Sequence, residues 1–366
     1  MAGRADLGDI TRAVTAYHAG DLRAVESAPG AFDRTYDVAQ PPGAGSDQRM
    51  AAITQLFYTV NWLHDDFYDA GFDEQAGNAQ ASNYGRGGEE NDRLLAEAQD
   101  YSGTDNANMS TPSDGAPPRM QMYVFSPVAA SALSTTGQLV GEFGTGSAGF
   151  GPTAFDVTAD LVTTEPLRGC SAITNAAAVA GRIAVIERGD CTYVDKVMNA
   201  QAAGAVGVLV TNHLAGSPPG MAAAPGSEAV VIPSLSITLD DGTGIRAALA
   251  TGTVAGRLQR IVAPPRDGTI DNAIVAHEWG HYISNRLVGN GNGLTSVQSA
   301  GLGEGWGDFH ALLMMVQEQD ALVPSNAGFA GAYAAASYAV GAPVLAGAVD
   351  NSAYYGIRRY PYSTDL

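Results

Sequence analysis

Five consecutive residues, His277-Glu278-Trp279-Gly280-His281, constrain this chain more than any other feature. They lie between the apolar runs Ile274-Val275-Ala276 and Tyr282-Ile283, so the segment reads as a buried helix, predicted over 272–287. Helical residues four apart sit one above the other, which points both imidazoles the same way. Glu278 lies about 100° round the helix, within reach of a water held between them. Two imidazoles a turn apart suit one divalent ion, but they do not complete its shell. The fold must therefore bring a second element to this face.

A catalytic zinc takes three protein ligands and keeps one position open for water. Ser284 stands three residues beyond His281 and Leu287 six beyond, where glycine and a third histidine would extend the motif. The third ligand is expected instead from the next predicted helix, 303–319, which carries Gly303-Glu304-Gly305-Trp306-Gly307-Asp308. Glu304 and Asp308 are four apart and share a face. Glu304 can complete the coordination, and Asp308 can accept a hydrogen bond from the distal nitrogen of a ligand histidine, fixing its tautomer. Such a set implies hydrolysis by an activated water, with Glu278 as the general base. Tyr354, Tyr355, Arg358 and Arg359 are available as donors to an oxyanion, but each reads first as an ordinary surface residue. His310 is six residues from Glu304 and should face away from the metal. His64, before Asp65-Asp66, reads as a hydrogen-bonded structural histidine. His18 and His213 lie in polar terminal or loop contexts.

The formal net charge is −19, and Lys196 is the one lysine among 19 basic residues. So acidic a surface repels phosphate backbones and anionic lipid, which argues against nucleic-acid and membrane partners. It also suits hard cations, so calcium is an additional expected ion, with no site assigned. Residues 327–349 form an uncharged stretch, but one of Ala, Gly, Ser and Tyr with Pro343 and a single leucine, too weakly apolar to span a membrane. Cys170 and Cys191 suit one disulfide in an exported protein; two buried thiols are the alternative. The start, 1–20, has no apolar core of the signal-peptide kind.

Along the chain, 47–69 is a predicted helix with Leu56, Val60, Leu63 and Phe67 in one stripe. Segments 83–88 and 101–118 read as turns, 120–125 as a strand, and 141–151 as a glycine-rich linker. Strands are expected at 182–187, 205–211 and 230–237, with a helix at 193–203: a small α/β unit. Long helices resume after Pro264-Pro265, so the middle block looks inserted into another domain.

Several blocks resemble the fungalysin family of secreted metallopeptidases, thermolysin-like in their zinc site. They are Asn61-Trp62-Leu63-His64-Asp65 with Gly71-Phe72-Asp73-Glu74, Ala98-Gln99-Asp100 with Asn106-Ala107-Asn108, and Arg266-Asp267-Gly268-Thr269 leading into the histidine helix. Gly303-Glu304-Gly305-Trp306 and Arg358-Arg359-Tyr360-Pro361-Tyr362 complete the set. The resemblance implies an α+β fold: a thermolysin-like catalytic domain with a mixed N-terminal part (1–150) and a helical zinc-binding part (263–366). The α/β block at 151–262 interrupts it and is similar to a protease-associated domain through Arg182-Ile183-Ala184-Val185-Ile186 and Glu187-Arg188-Gly189-Asp190-Cys191. It further implies one zinc on His277, His281 and Glu304, and an edge strand at Asn106-Ala107 that pairs with substrate backbone. Such proteins are made as secreted zymogens with an inhibitory propeptide. Leader, propeptide and a further helical region are expected to be absent from this chain. The expected activity is a zinc metalloendopeptidase acting on polypeptides as an extracellular monomer. An aminopeptidase of the same chemistry often carries a Gly-x-Met-Glu-Asn stretch, which does not occur here. The other competing readings are a truncated, weak or inactive protease that binds proteins through its inserted domain, and a structural protein without metal.

Overall fold

The computed structural model describes residues 2–5, 22–348 and 350–364; His18, with the rest of residues 6–21, lies outside them. In chain order the strands are β1 (Ala2–Ala5), β2 (Leu95–Thr104), β3 (Ala107–Ser110), β4 (Arg119–Phe125), β5 (Ala129–Gly137), β6 (Gly141–Gly144), β7 (Gly146–Ser147), β8 (Phe155–Thr163), β9 (Ile183–Glu187), β10 (Gly207–Thr211), β11 (Ser234–Ile237), β12 (Val254–Val262) and β13 (Arg266–Asp267). The helices are α1 (Ser46–Asp69), α2 (Ala176–Val179), α3 (Tyr193–Ala202), α4 (Leu239–Leu249), α5 (Asn272–Leu287), α6 (Val297–Met315), α7 (Ser337–Val340) and α8 (Ser352–Tyr355). The architecture is mixed α+β. The described residues divide into two compact units, one within Met1–Pro127, Pro264–Gly341 and Asn351–Leu366, the other within Val128–Ala263 and Ala342–Asp350.

In the first unit the sheet runs β1-β2-β4-β13, with β3 antiparallel on β4. Of the predicted stripe of α1, Leu56, Val60 and Leu63 are buried and Phe67 partly so; with Ile53 they pack on Met120 and Met122 of β4 and on Trp279 and Tyr282 of α5. This core fixes α5. Asp271 caps its start by accepting from the Ala273 amide. At its far end the Tyr282 hydroxyl accepts from the Ala79 amide, at 2.5 Å, and donates to Gly77 O. The second metal-side helix begins at Val297, earlier than the 303 read from sequence. Ser296 and Ser299 form its capping box, whereas the glycines at 301, 303 and 305 made the following turns look like the start.

The second unit is built on an eight-stranded sheet, β6-β5-β12-β8-β9-β10-β11-β7, among the described residues. Strands β9, β10 and β11 are parallel and, apart from Glu187, Thr211, Ser234 and Ser236, apolar, because both faces are covered. Ala184, Ile186, Val208 and Val210 face α3, while Ile183, Val185 and Leu209 join Leu133, Leu161, Ile245 and Leu258 in the other core. Residues 141–151 are not a linker. They contain β6, paired with β5, and β7, paired with β11. Backbone amides pair whatever the side chain, so glycine richness hid two strands. For the same reason 101–118, read as turns, contains the end of β2 and all of β3. Cys170 and Cys191 form a disulfide. No helix among the described residues is long and apolar enough to cross a membrane.

Candidate metal centre

Two glycines decide how α5 and α6 meet. A Cβ on Gly280 would stand 2.8 Å from Gly307 Cα, and one on Gly307 would stand 2.7 Å from His277 Nδ1. Any other residue at either position would push the helices apart. With both glycines in place, the helices touch and Glu304 reaches the histidines. Its Oε2 lies 3.4 Å from His277 Nε2 and its Oε1 3.5 Å from His281 Nε2. Ligand atoms of His277, Glu278 and His281 all lie within 4.8 Å of one another, the one such group of three or more among the described residues. The two imidazole rings are 4.5 Å apart and nearly perpendicular, so their edges converge without stacking.

Asp308 sits one turn beyond Glu304 and is almost fully buried. His277 donates from Nδ1 to Asp308 Oδ1 at 2.7 Å, which turns Nε2 toward Glu304. Burial works against a charged His277, but the hydrogen bonds to Asp308 and Glu304 prevail and raise its pKa to about 9. Burial also raises Glu278 above the usual carboxylate range, and the neighbouring Glu304 charge adds to that, while His277, His281 and Arg358 pull it back. Hydrogen bonds from the two histidines hold Glu304 well below its ordinary value. For Asp308, burial is outweighed by the bonds from His277, Arg358 and Tyr362, and its carboxyl is likewise held low. Two imidazole nitrogens and a carboxylate form the donor set of a hydrolytic zinc site, with Glu278 beside it. These residues fit such an ion.

Arg358 is not the surface residue its sequence context suggests. Its Nε donates to Asp308 Oδ2 at 2.6 Å and its Nη2 to Oδ1 at 2.7 Å, and Nη2 lies 3.5 Å from Glu304 Oε2. The Tyr362 hydroxyl also donates to Asp308 Oδ2. Neither contact is visible in the sequence, where no spacing ties the block Arg358–Tyr362 to Asp308. Tyr354 and Tyr355 are partly exposed and pack edge-on against each other, and Arg359 lies over Tyr360. His310 packs among Phe67, Trp306 and Phe309, and burial lowers its pKa. His64 hydrogen-bonds Asp65.

A cleft of about 370 Å³ opens over this cluster, lined by Asn106, Ala107, Phe125, Ile274, Ala335, Ile357 and Arg358 together with the metal-side residues. Asn106 and Ala107 therefore stand at the same cleft as His277. Among the described residues β3 pairs with β4 alone.

The family model of the fungalysin metallopeptidases matches residues 10–366. The chain belongs to the fungalysin family. Extracellular metalloproteinase 2 of Arthroderma gypseum is 27% identical over 93% of this chain, and extracellular metalloproteinase 10 of Coccidioides posadasii is 27% identical over 86%. Extracellular metalloproteinase mep of Aspergillus flavus reaches 54% identity over a shorter stretch, 24% of this chain and 13% of its own length. This fungalysin chain spans about 30% of the length of the first of these relatives and 27% of the second.

Proposed function

We propose that this chain is the catalytic part of a zinc metalloendopeptidase, with His277, His281 and Glu304 holding the ion. The observation that carries the proposal is the convergence of three donors from two helices at the floor of one cleft, His277 Nε2 and His281 Nε2 within 3.5 Å of a single carboxylate. Zinc bound there would polarise the scissile carbonyl and lower the pKa of a water from ~15.7 to ~7. Glu278, beside those nitrogens, is the group that would accept a proton from the attacking water and return it to the departing amine. Asp308 keeps His277 in the tautomer that offers Nε2. Arg358 brings a positive charge to the cleft wall, where negative charge develops on the substrate oxygen.

The substrate class follows from the edge strand. Residues Asn106 to Met109 line the cleft and offer backbone groups on the side of β3 away from β4, which suits an extended polypeptide added as a further strand. The second unit reads as a protease-associated domain, from its α/β build and its Arg182–Ala205 sequence. Secretion accords with the disulfide and the relatives' extracellular names, and synthesis as a zymogen and a monomeric state belong to the same reading. Calcium is a second expected ion without an assigned site.

The test is Glu278→Gln. The variant should retain one zinc per chain and lose roughly 10²–10⁴-fold in turnover of an N-terminally blocked peptide, since only the proton shuttle is removed. Wild-type rates in the variant would rule out Glu278 as the base. Turnover of free but not blocked peptides by the unmodified chain would replace endopeptidase with aminopeptidase.

A further inference from the structure

Resting on the metal reading above, we infer that Tyr362 is a positioning residue for His277, acting through the Asp308 carboxylate. Asp308 has two oxygens and four donors. Oδ1 accepts from His277 Nδ1 and Arg358 Nη2, and Oδ2 accepts from Arg358 Nε and the Tyr362 hydroxyl. An ionised carboxylate has about four acceptor sites, so each is used. Saturation has two consequences. The carboxylate cannot turn about its terminal torsion without breaking a bond, so the acceptor that orients His277 stays in one place. Its acceptor sites are all taken, so the Nδ1 side of His277 keeps one fixed partner and Nε2 stays turned toward Glu304.

The Arg358 pair fixes the plane of the carboxylate, since its two bonds run parallel. Tyr362 supplies the fourth bond from a separate main-chain anchor: its carbonyl accepts from the Tyr333 amide at 2.9 Å. Tyr333 itself is bonded to Asp320 and Asn326 through its hydroxyl and does not bond Asp308. The tyrosine ring at 362 is partly exposed, whereas the carboxylate it bonds is 1% exposed as a residue. Replacing Tyr362 with phenylalanine therefore keeps the ring and leaves one buried acceptor unfilled. The effect must pass through Asp308 to His277, because no hydrogen bond links Tyr362 to either metal-side histidine or to Glu304 among the contacts of the described residues.

The experiment compares Tyr362→Phe with Tyr333→Phe in the full chain. Zinc affinity is read by competition with a chelating dye, and the visible absorption of the cobalt-substituted protein reports ligand geometry. Tyr362→Phe should weaken zinc binding roughly threefold to tenfold, below the ~10–100-fold seen when a direct outer-shell partner is lost. It should also shift the cobalt band. Tyr333→Phe, at the residue whose amide bonds the Tyr362 carbonyl, should change neither. Unchanged affinity and spectrum in folded Tyr362→Phe would overturn the assignment, and so would an equal loss in Tyr333→Phe. A wild-type chain that takes up no zinc, or a His281→Ala variant that takes it up as tightly as wild type, would instead remove the metal reading and the role of Tyr362 with it.

Discussion

In the first unit His277, His281, Glu278 and Glu304 crowd their polar atoms toward one point, and the two carboxylates there raise each other's energy. In the second unit another buried ion is arranged in the opposite way. Lys196 is wholly buried, and its ammonium donates to Arg168 O at 2.5 Å and Gly189 O at 2.7 Å, with Cys170 Sγ at 3.4 Å as its third neighbour. Burial lowers its pKa, yet each of its three N–H groups has a place to go. The Arg168 and Gly189 carbonyls belong to the two loops that the Cys170–Cys191 disulfide joins, so the ammonium and the disulfide bind the same pair of loops. A charge buried for structure is saturated. The cluster in the first unit leaves its Glu304 carboxylate more than half exposed at the cleft, where a cation on the proposed metal reading would take over its bonds to the two imidazoles, and that openness sets it apart from the enclosed ammonium.

Two substitutions should pull the regions apart. Glu304→Ala removes the carboxylate from the histidine cluster. Zinc affinity should fall by at least ~100-fold, beyond the loss expected for an outer partner. Stability of the metal-free protein to urea should move by less than ~1 kcal/mol, because more than half of the Glu304 side chain is exposed. Retained zinc affinity would move the third ligand elsewhere. Lys196→Met should do the reverse. It strands two carbonyls at a cost of about 1–3 kcal/mol of unfolding free energy, with zinc affinity unchanged. If Lys196→Met left unfolding untouched, the ammonium would not be what joins those loops.

How far the sequence disclosed these regions follows the same division. The apolar runs at Ile183–Ile186 and Gly207–Val210 announce strands covered on both faces, and the α/β character of that block was legible. Its glycine-rich start was not, since β6 and β7 owe their pairing to backbone groups that leave no trace in side-chain pattern. In the first unit, spacing alone placed His277, Glu278 and His281 on one helix. It also marked Glu304 and Asp308 as a pair one turn apart. The meeting of those two sets depends on Gly280 and Gly307, which read as helix-weakening residues until their close approach is seen. Arg358 and Tyr362 lie 50 and 54 residues beyond Asp308, and no periodicity links positions so distant.

The weakest contrast lies between two histidines of the first unit. In the metal-free protein His277 is held up at about 9 against an ordinary 6.5, after its bonds to Asp308 and Glu304 overcome burial. Its stabilising contribution is therefore fully present below 6.5 and is lost as pH rises through about 9. His310 has no carboxylate partner, and burial among Phe67, Trp306 and Phe309 alone lowers its pKa from 6.5. Its contribution has the other sign: present above 6.5 and lost as pH falls through its lowered value. His310→Phe keeps an aromatic ring of similar size and abolishes that titration. The variant should gain on wild type, by less than ~1 kcal/mol, when urea unfolding of the metal-free protein is compared at pH 5 and pH 8. The same difference between the two pH values in both proteins would mean that His310 takes up its proton without unfolding, through the exposed edge of its ring, and that burial at this position is not the barrier the packing suggests.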